Sequence, residues 1–149
     1  MENITYSDTI VFVPPIEQGK VIKIYDGDTI TIATKLPLKY DEEDSPYYRY
    51  SIRLNGIDCP EMRTKNAEEK ECAILVRDYL RSLLTDKIVI LKNVEVERKY
   101  GRLLADVYLG DVNICELLLS KNMAVKYNGG TKECPDNWMT FYNEKNETV

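Results

Sequence analysis

A small, strongly bent antiparallel β-sheet with two helices, a mainly β member of the α+β class, is the fold this sequence predicts. Three observations carry that expectation. Short runs of branched residues recur between turn signals, one long segment has helical periodicity, and 149 residues with 44% hydrophobic content give a single domain a sizeable core.

Residues 9–13, Thr-Ile-Val-Phe-Val, read as a short strand or a hydrophobic arm, and Pro14-Pro15 ends regular pairing there. Organised structure is expected from Gly19 onward. Runs 21–25 and 29–33 flank Asp26-Gly27-Asp28, the local signature of a tight turn between antiparallel strands. Residues 35–48 contain two prolines and the acidic block Asp41-Glu42-Glu43-Asp44, which predicts an exposed insertion. In the strand expected over 49–55, alternation sets Tyr50, Ile52 and Leu54 on one face and Ser51, Arg53 and Asn55 on the other. Asn66 with Glu69 resembles a capping box, and Ala73, Val76, Leu80 and Leu83 continue at helical spacing, predicting an amphipathic helix. Strands follow at 87–94 and 103–108. A second cap, Asn113 with Glu116, leads Ile114, Leu117 and Leu118 into a short helix ending by Asn122.

Five strands, one helix between the third and fourth and another after the fifth fit an OB-like five-stranded barrel. The expected organisation is an N-terminal arm over 1–18, the barrel domain over 19–127 and an extension over 128–149. That extension is polar and turn-rich apart from Trp138, Met139, Phe141 and Tyr142. It is expected to dock on the domain without being essential to its core.

The chain has no histidine, which excludes Ser-His-Asp and Cys-His catalysis and histidine-ligated metals. Hydrolytic chemistry then falls to carboxylates, thiols, lysines, tyrosines or a hard cation. A net charge of -5 argues against a broad basic face for nucleic acid, although a bound divalent cation and a few arginines can make one cleft positive. Cys59, Cys72, Cys115 and Cys134 lack C-x-x-C spacing, which predicts reduced thiols of an intracellular protein. The first residues show no basic stretch followed by an apolar run, and no segment has membrane-span length. A cytoplasmic protein with no membrane partner is the expectation.

Three clusters of chemistry-bearing residues stand out: Asp26-Gly27-Asp28-Thr29, Arg53 with Asp58-Cys59-Pro60-Glu61, and Tyr100-Gly101-Arg102. Each alone has a structural explanation, as a turn, a strand end or a solvated arginine. Together, in this order from Gly19 to Tyr127, they resemble the thermonuclease-like, or staphylococcal nuclease-like, domain family, in which an OB-fold barrel carries a calcium-dependent phosphodiesterase site.

The resemblance implies that Asp28 and Asp58 ligate Ca2+ together with the backbone carbonyl of Cys59, while Asp26 stands behind them, fixing waters. It implies that Glu61 activates the attacking water and that Arg53 and Arg102 grip the scissile phosphate. Arginine, always protonated near neutral pH, stabilises charge there, and the source of the leaving group's proton stays open. Lys99 and Tyr100 correspond to contacts with a terminal phosphate, and Tyr127 to an aromatic on the base-stacking wall, with a core tyrosine as its alternative. Hard oxygen ligands suit calcium, and magnesium equally at this level.

The implied activity is a monomeric nuclease acting on DNA, with RNA as a further substrate, preferring single-stranded or frayed ends and leaving 3'-phosphate and 5'-hydroxyl termini. The rival is a catalytically inactive OB-fold module that binds nucleic acid or protein. Two departures from the family prototype are the acidic insertion, which would repel a polyanion if it faced the cleft, and the section after Gly130, where the prototype has a long basic helix.

Overall fold

The structure, a computed structural model, describes residues 1–36, 45–97, 99–130 and 133–146. The acidic block at 41–44 lies outside the described residues. Five long strands form the sheet: β1 (Gln18–Asp26), β2 (Thr29–Thr34), β3 (Tyr48–Leu54), β5 (Ile88–Val96) and β6 (Leu103–Leu109). Short bridges are made by β4 (Ile57–Asp58), β7 (Val112–Asn113) and β8 (Val125–Lys126), and the helices are α1 (Ala67–Leu84), α2 (Ile114–Ser120) and α3 (Trp138–Asn146).

The sheet runs β3-β2-β1-β5-β6-β7, and β3 also pairs with β6, which closes it into a barrel. Closure is parallel, with Ile52 beside Leu103, Arg53 beside Leu104 and Leu54 beside Ala105. All the other strand pairs are antiparallel. The barrel interior is aliphatic: Val21, Ile24, Ile30, Ile32, Ile52, Leu54, Val89, Ala105 and Val107 are buried, alternating with exposed or half-buried neighbours along most of their strands.

The helix α1 covers one end of this barrel. Asn66 caps it, its Oδ1 accepting the N–H groups of Glu68 and Glu69 at 3.0 Å each. Cys72, Ala73, Val76, Leu80 and Leu84 make its buried stripe, each large aliphatic contributing roughly 1.5 to 3 kcal/mol relative to exposure. Arg81 pins the helix to β1 through Nε and Nη2, which donate to the Ile24 carbonyl at 3.1 and 3.0 Å. Asn113 caps α2 in the same manner, accepting the Glu116 N–H at 3.1 Å.

Three features differ from the sequence reading. Residues 9–13 take the arm alternative of the sequence reading, extended and exposed, and the unexpected element is the single 3-10 turn at Tyr6–Asp8 that precedes them, with the Thr5 N–H and hydroxyl donating to Asp8 Oδ2 at 2.9 and 2.8 Å. The C-terminal section contains a helix, α3, and Trp138 belongs to the core, packing edge-on to Phe141 with ring centroids 6.0 Å apart. Asn122 locks α3 in place by donating to the Phe141 carbonyl at 2.8 Å. Finally, Arg53 is buried along with its apolar neighbours Ile52 and Leu54, where β3 has β2 on one side and β6 on the other.

Candidate active site

The three clusters meet where the barrel closes. The β2–β3 register sets Thr29 opposite Arg53, and the parallel β3–β6 pairing sets Arg53 beside the start of β6, immediately after Arg102. The hairpin Asp26-Gly27-Asp28, the arginine of β3 and the turn before β6 thus converge through strand pairing, although up to 76 residues separate Asp26 from Arg102 in sequence.

Gly27 explains why the hairpin can lie this close to the barrel's end. A Cβ there would stand 2.7 Å from Val76 Cγ1 and 3.1 Å from both Cβ and Sγ of Cys59, so the turn presses directly on α1 and on the loop after β4. Asp28 projects from this packed turn. Its backbone N–H donates to Asp26 Oδ1 at 3.3 Å, and its own Oδ1 accepts the Thr29 hydroxyl at 3.1 Å.

Arg53 is only 8% exposed and organises the centre. Its Nη1 donates to the Leu54 carbonyl at 2.8 Å, while Nη2 lies 3.5 Å from Asp58 Oδ1 and 3.7 Å from Asp28 Oδ2. The Tyr127 ring covers the guanidinium with its centroid 5.7 Å away, and the Tyr127 N–H donates to the Gly56 carbonyl at 2.9 Å. Asp58 is held in the β4–β8 bridge opposite Val125 and is buried.

Arg102 approaches from the other side. Its Nη1 donates to Thr29 Oγ1 at 3.1 Å, and its Nε and Nη2 donate to Glu97 Oε1 and Oε2 at 3.0 and 3.2 Å. Lys99 and Tyr100 occupy the exposed turn beneath it, the Tyr100 ring lying 5.3 Å from Lys99 Nζ and 5.0 Å from Arg102 Cζ. Glu61 stands in the loop between β4 and α1, exposed to solvent, its N–H donating to Glu69 Oε2 at 2.9 Å and so tying the loop to the first turn of α1.

The electrostatics record a surplus of carboxylate. Burial, and then the neighbouring Asp28, push the Asp26 carboxyl up to about 7 from its ordinary 3.8. Burial also raises the Cys59 thiol well above its usual range, and Asp28, Asp58 and Asp26 add to the effect, so the side chain stays a neutral thiol. Among the described residues no three His, Cys, Asp or Glu side chains form a closed metal cage. The Asp28 and Asp58 carboxylates, both within 3.7 Å of Arg53 Nη2, are hard oxygen donors of the kind a divalent cation takes while completing its shell with water and substrate oxygen. A groove lies at the other end of β1, between Gly19, Lys20, Thr34 and Tyr47, away from this cluster.

Sequence reasoning singled out Asp26, Asp28, Arg53, Asp58, the Cys59 carbonyl, Glu61, Lys99, Tyr100, Arg102 and Tyr127, and missed Glu97 and the part played by Thr29. No local sequence pattern marks Glu97, whose place is set by the turn. Its backbone N–H bonds to the Arg102 carbonyl at 2.7 Å, so the turn that presents Tyr100-Gly101-Arg102 begins at Glu97.

Comparison with known proteins agrees with this architecture. The family model described as Staphylococcal nuclease homologue matches residues 51–147, a span that includes Arg53, Asp58, Glu61 and Arg102 but not the hairpin aspartates. A thermonuclease from Staphylococcus hyicus is 30% identical over 106 residues, covering 70% of this chain and 56% of that protein. The match therefore spans just over half the relative's length. Among the described residues no helix is long and apolar enough to cross a membrane. With a closed five-stranded barrel, its helices in the expected places and two thirds of its length matched, the chain belongs to the staphylococcal nuclease homologue family.

Proposed function

We propose that this chain is a calcium-dependent phosphodiesterase that hydrolyses DNA, and RNA as a further substrate, with little sequence preference, leaving 3'-phosphate and 5'-hydroxyl ends. The observation that carries the reading is the meeting of Arg53, Asp28 and Asp58 within 3.7 Å at the barrel's closure, with Arg102 joined to the same hairpin through Thr29.

In this reading Asp28, Asp58 and the Cys59 carbonyl hold the cation, with Asp26 behind them. When bound, calcium polarises a phosphate oxygen and offsets the carboxylate charge. Arg53 and Arg102 each donate to non-bridging phosphate oxygens, and their hydrogen bonds strengthen as negative charge accumulates during attack. Glu61 accepts a proton from the incoming water, whose oxygen forms the new bond to phosphorus as the bond to O5' breaks. The departing alkoxide takes its proton from solvent water, since neither arginine gives one up near neutral pH. Lys99 and Tyr100 contact a neighbouring phosphate, and the Tyr127 ring offers a stacking surface beside Arg53. A stacking surface of this kind suits the exposed bases of single-stranded or frayed ends.

The test is turnover by Glu61→Gln. The substitution keeps size and removes the proton acceptor at an exposed position, so cleavage in calcium is expected to fall about 100-fold or more with an unchanged circular dichroism spectrum. Wild-type affinity for DNA without turnover in any divalent metal would favour the inactive binding module instead.

A further inference from the structure

We infer that Glu97 is a positioning residue for Arg102, gripping one edge of its guanidinium so that the other is presented to substrate phosphate. This rests on the phosphodiesterase reading and adds to it a residue that the resemblance does not assign.

An arginine has two edges able to hold an oxyanion: the side edge, formed by Nε and Nη2, and the end edge, formed by Nη1 and Nη2. Glu97 occupies the side edge with both carboxylate oxygens, at 3.0 and 3.2 Å. Nη1 donates one N–H to Thr29 Oγ1 on β2 at 3.1 Å, which leaves one N–H on Nη1 and one on Nη2 for a phosphate. Thr29 is itself fixed, being 8% exposed and donating its hydroxyl to Asp28 Oδ1 at 3.1 Å. A continuous chain therefore runs from Glu97 through Arg102 and Thr29 to Asp28.

The geometry is built from the backbone upward. Glu97 and Arg102 stand at the two ends of the turn between β5 and β6, joined by the bond from the Glu97 N–H to the Arg102 carbonyl at 2.7 Å. Gly101, at φ +68°, supplies the left-handed residue that such a turn requires. Side chains at the ends of a closed turn lie next to each other, which is why a glutamate there meets the arginine. Both are half-buried, so solvent screens the pair less than it would on an open surface.

Two consequences follow for a phosphate. Arg102 cannot swing into solvent between turnovers, so its end edge is preorganised. Held in place, its hydrogen bonds strengthen as charge accumulates on the phosphate oxygens in the transition state.

The experiment combines steady-state cleavage of a short single-stranded DNA in calcium with NMR of the Arg102 Nε–H, assigned by its loss in Arg102→Lys. In Glu97→Gln, kcat is expected to fall about tenfold while KM does not rise, and solvent exchange of the Nε–H is expected to accelerate by about the same factor. In an Arg102→Ala background the same substitution should change kcat by less than about twofold. Unchanged kcat with unchanged exchange, or an equal loss in the Arg102→Ala background, would overturn the inference. Wild-type protein that cleaves nothing would overturn the hydrolase reading instead, and the exchange measurement then decides by itself whether Glu97 holds Arg102.

Discussion

At the scale of single residues, the centre is a contest between carboxylates and guanidinium groups. Asp26 reports its outcome most directly, because its carboxyl is pushed up to about 7 by burial first and Asp28 second. The native state thus binds the Asp26 proton more tightly than the unfolded chain, whose carboxyl keeps the ordinary value of 3.8. The associated stability is complete below that value and is lost as pH rises through about 7. In chelator, Asp26→Asn should match the wild type near pH 4 and exceed it at pH 8 by about 1 to 2 kcal/mol, after discounting for the group's partial exposure. Urea denaturation at the two pH values checks this, and identical wild-type and variant profiles would contradict it. Asp26, Asp28 and Arg53 were each legible in the sequence, but their coupling was not. It depends on the register that sets Thr29 opposite Arg53, which no local pattern encodes.

At the scale of elements, the hairpin and both helix caps followed from short-range chemistry. Asn66 and Asn113 do accept the backbone N–H groups of the first turns, as their spacing to Glu69 and Glu116 predicts. The glycine in Asp26-Gly27-Asp28 is needed for a different reason from the turn geometry that drew attention to it. Its φ is not in the left-handed region, and it is required by the approach of Val76 and Cys59. Gly27→Ala is therefore expected to destabilise the protein by about 1 to 3 kcal/mol, as overpacking does, and to displace Asp28 with it. Guanidinium denaturation of the variant measures the cost, and a stability equal to wild type would contradict the packing argument. The helix α3 escaped sequence reasoning because Trp138, Met139, Phe141 and Tyr142 come in too short a run to show helical period. Burial of Trp138, the bond from Asn122 to the Phe141 carbonyl and the bond from Asn146 to the Lys121 carbonyl hold it, and these are tertiary contacts.

At the scale of the whole molecule, closure of the barrel through β3 and β6 gathers the candidate residues, and a five-strand count suggested a barrel without revealing which strands close it. A net charge of -5 makes this an acidic protein, and its candidate phosphate contacts are few: Arg53, Lys99 and Arg102. Binding of single-stranded DNA at saturating calcium should accordingly show a shallow salt dependence, with a slope of log affinity against log salt near about -2, as expected for about three neutralised phosphates. A slope steeper than about -4 in a potassium chloride titration would indicate a basic face elsewhere on the molecule.

The central claim is that the cluster at the barrel's closure hydrolyses a phosphodiester. The most direct measurement is to incubate an end-labelled single-stranded DNA with wild type and Arg53→Ala, in calcium and in chelator, and to identify the ends of the products. The account predicts 3'-phosphate and 5'-hydroxyl ends from the wild type in calcium alone. Folded Arg53→Ala protein should lose the activity by about 1000-fold, since a buried donor to the developing charge is removed. Cleavage that persists in Arg53→Ala, or intact DNA under every metal condition with folded wild-type protein, would contradict it.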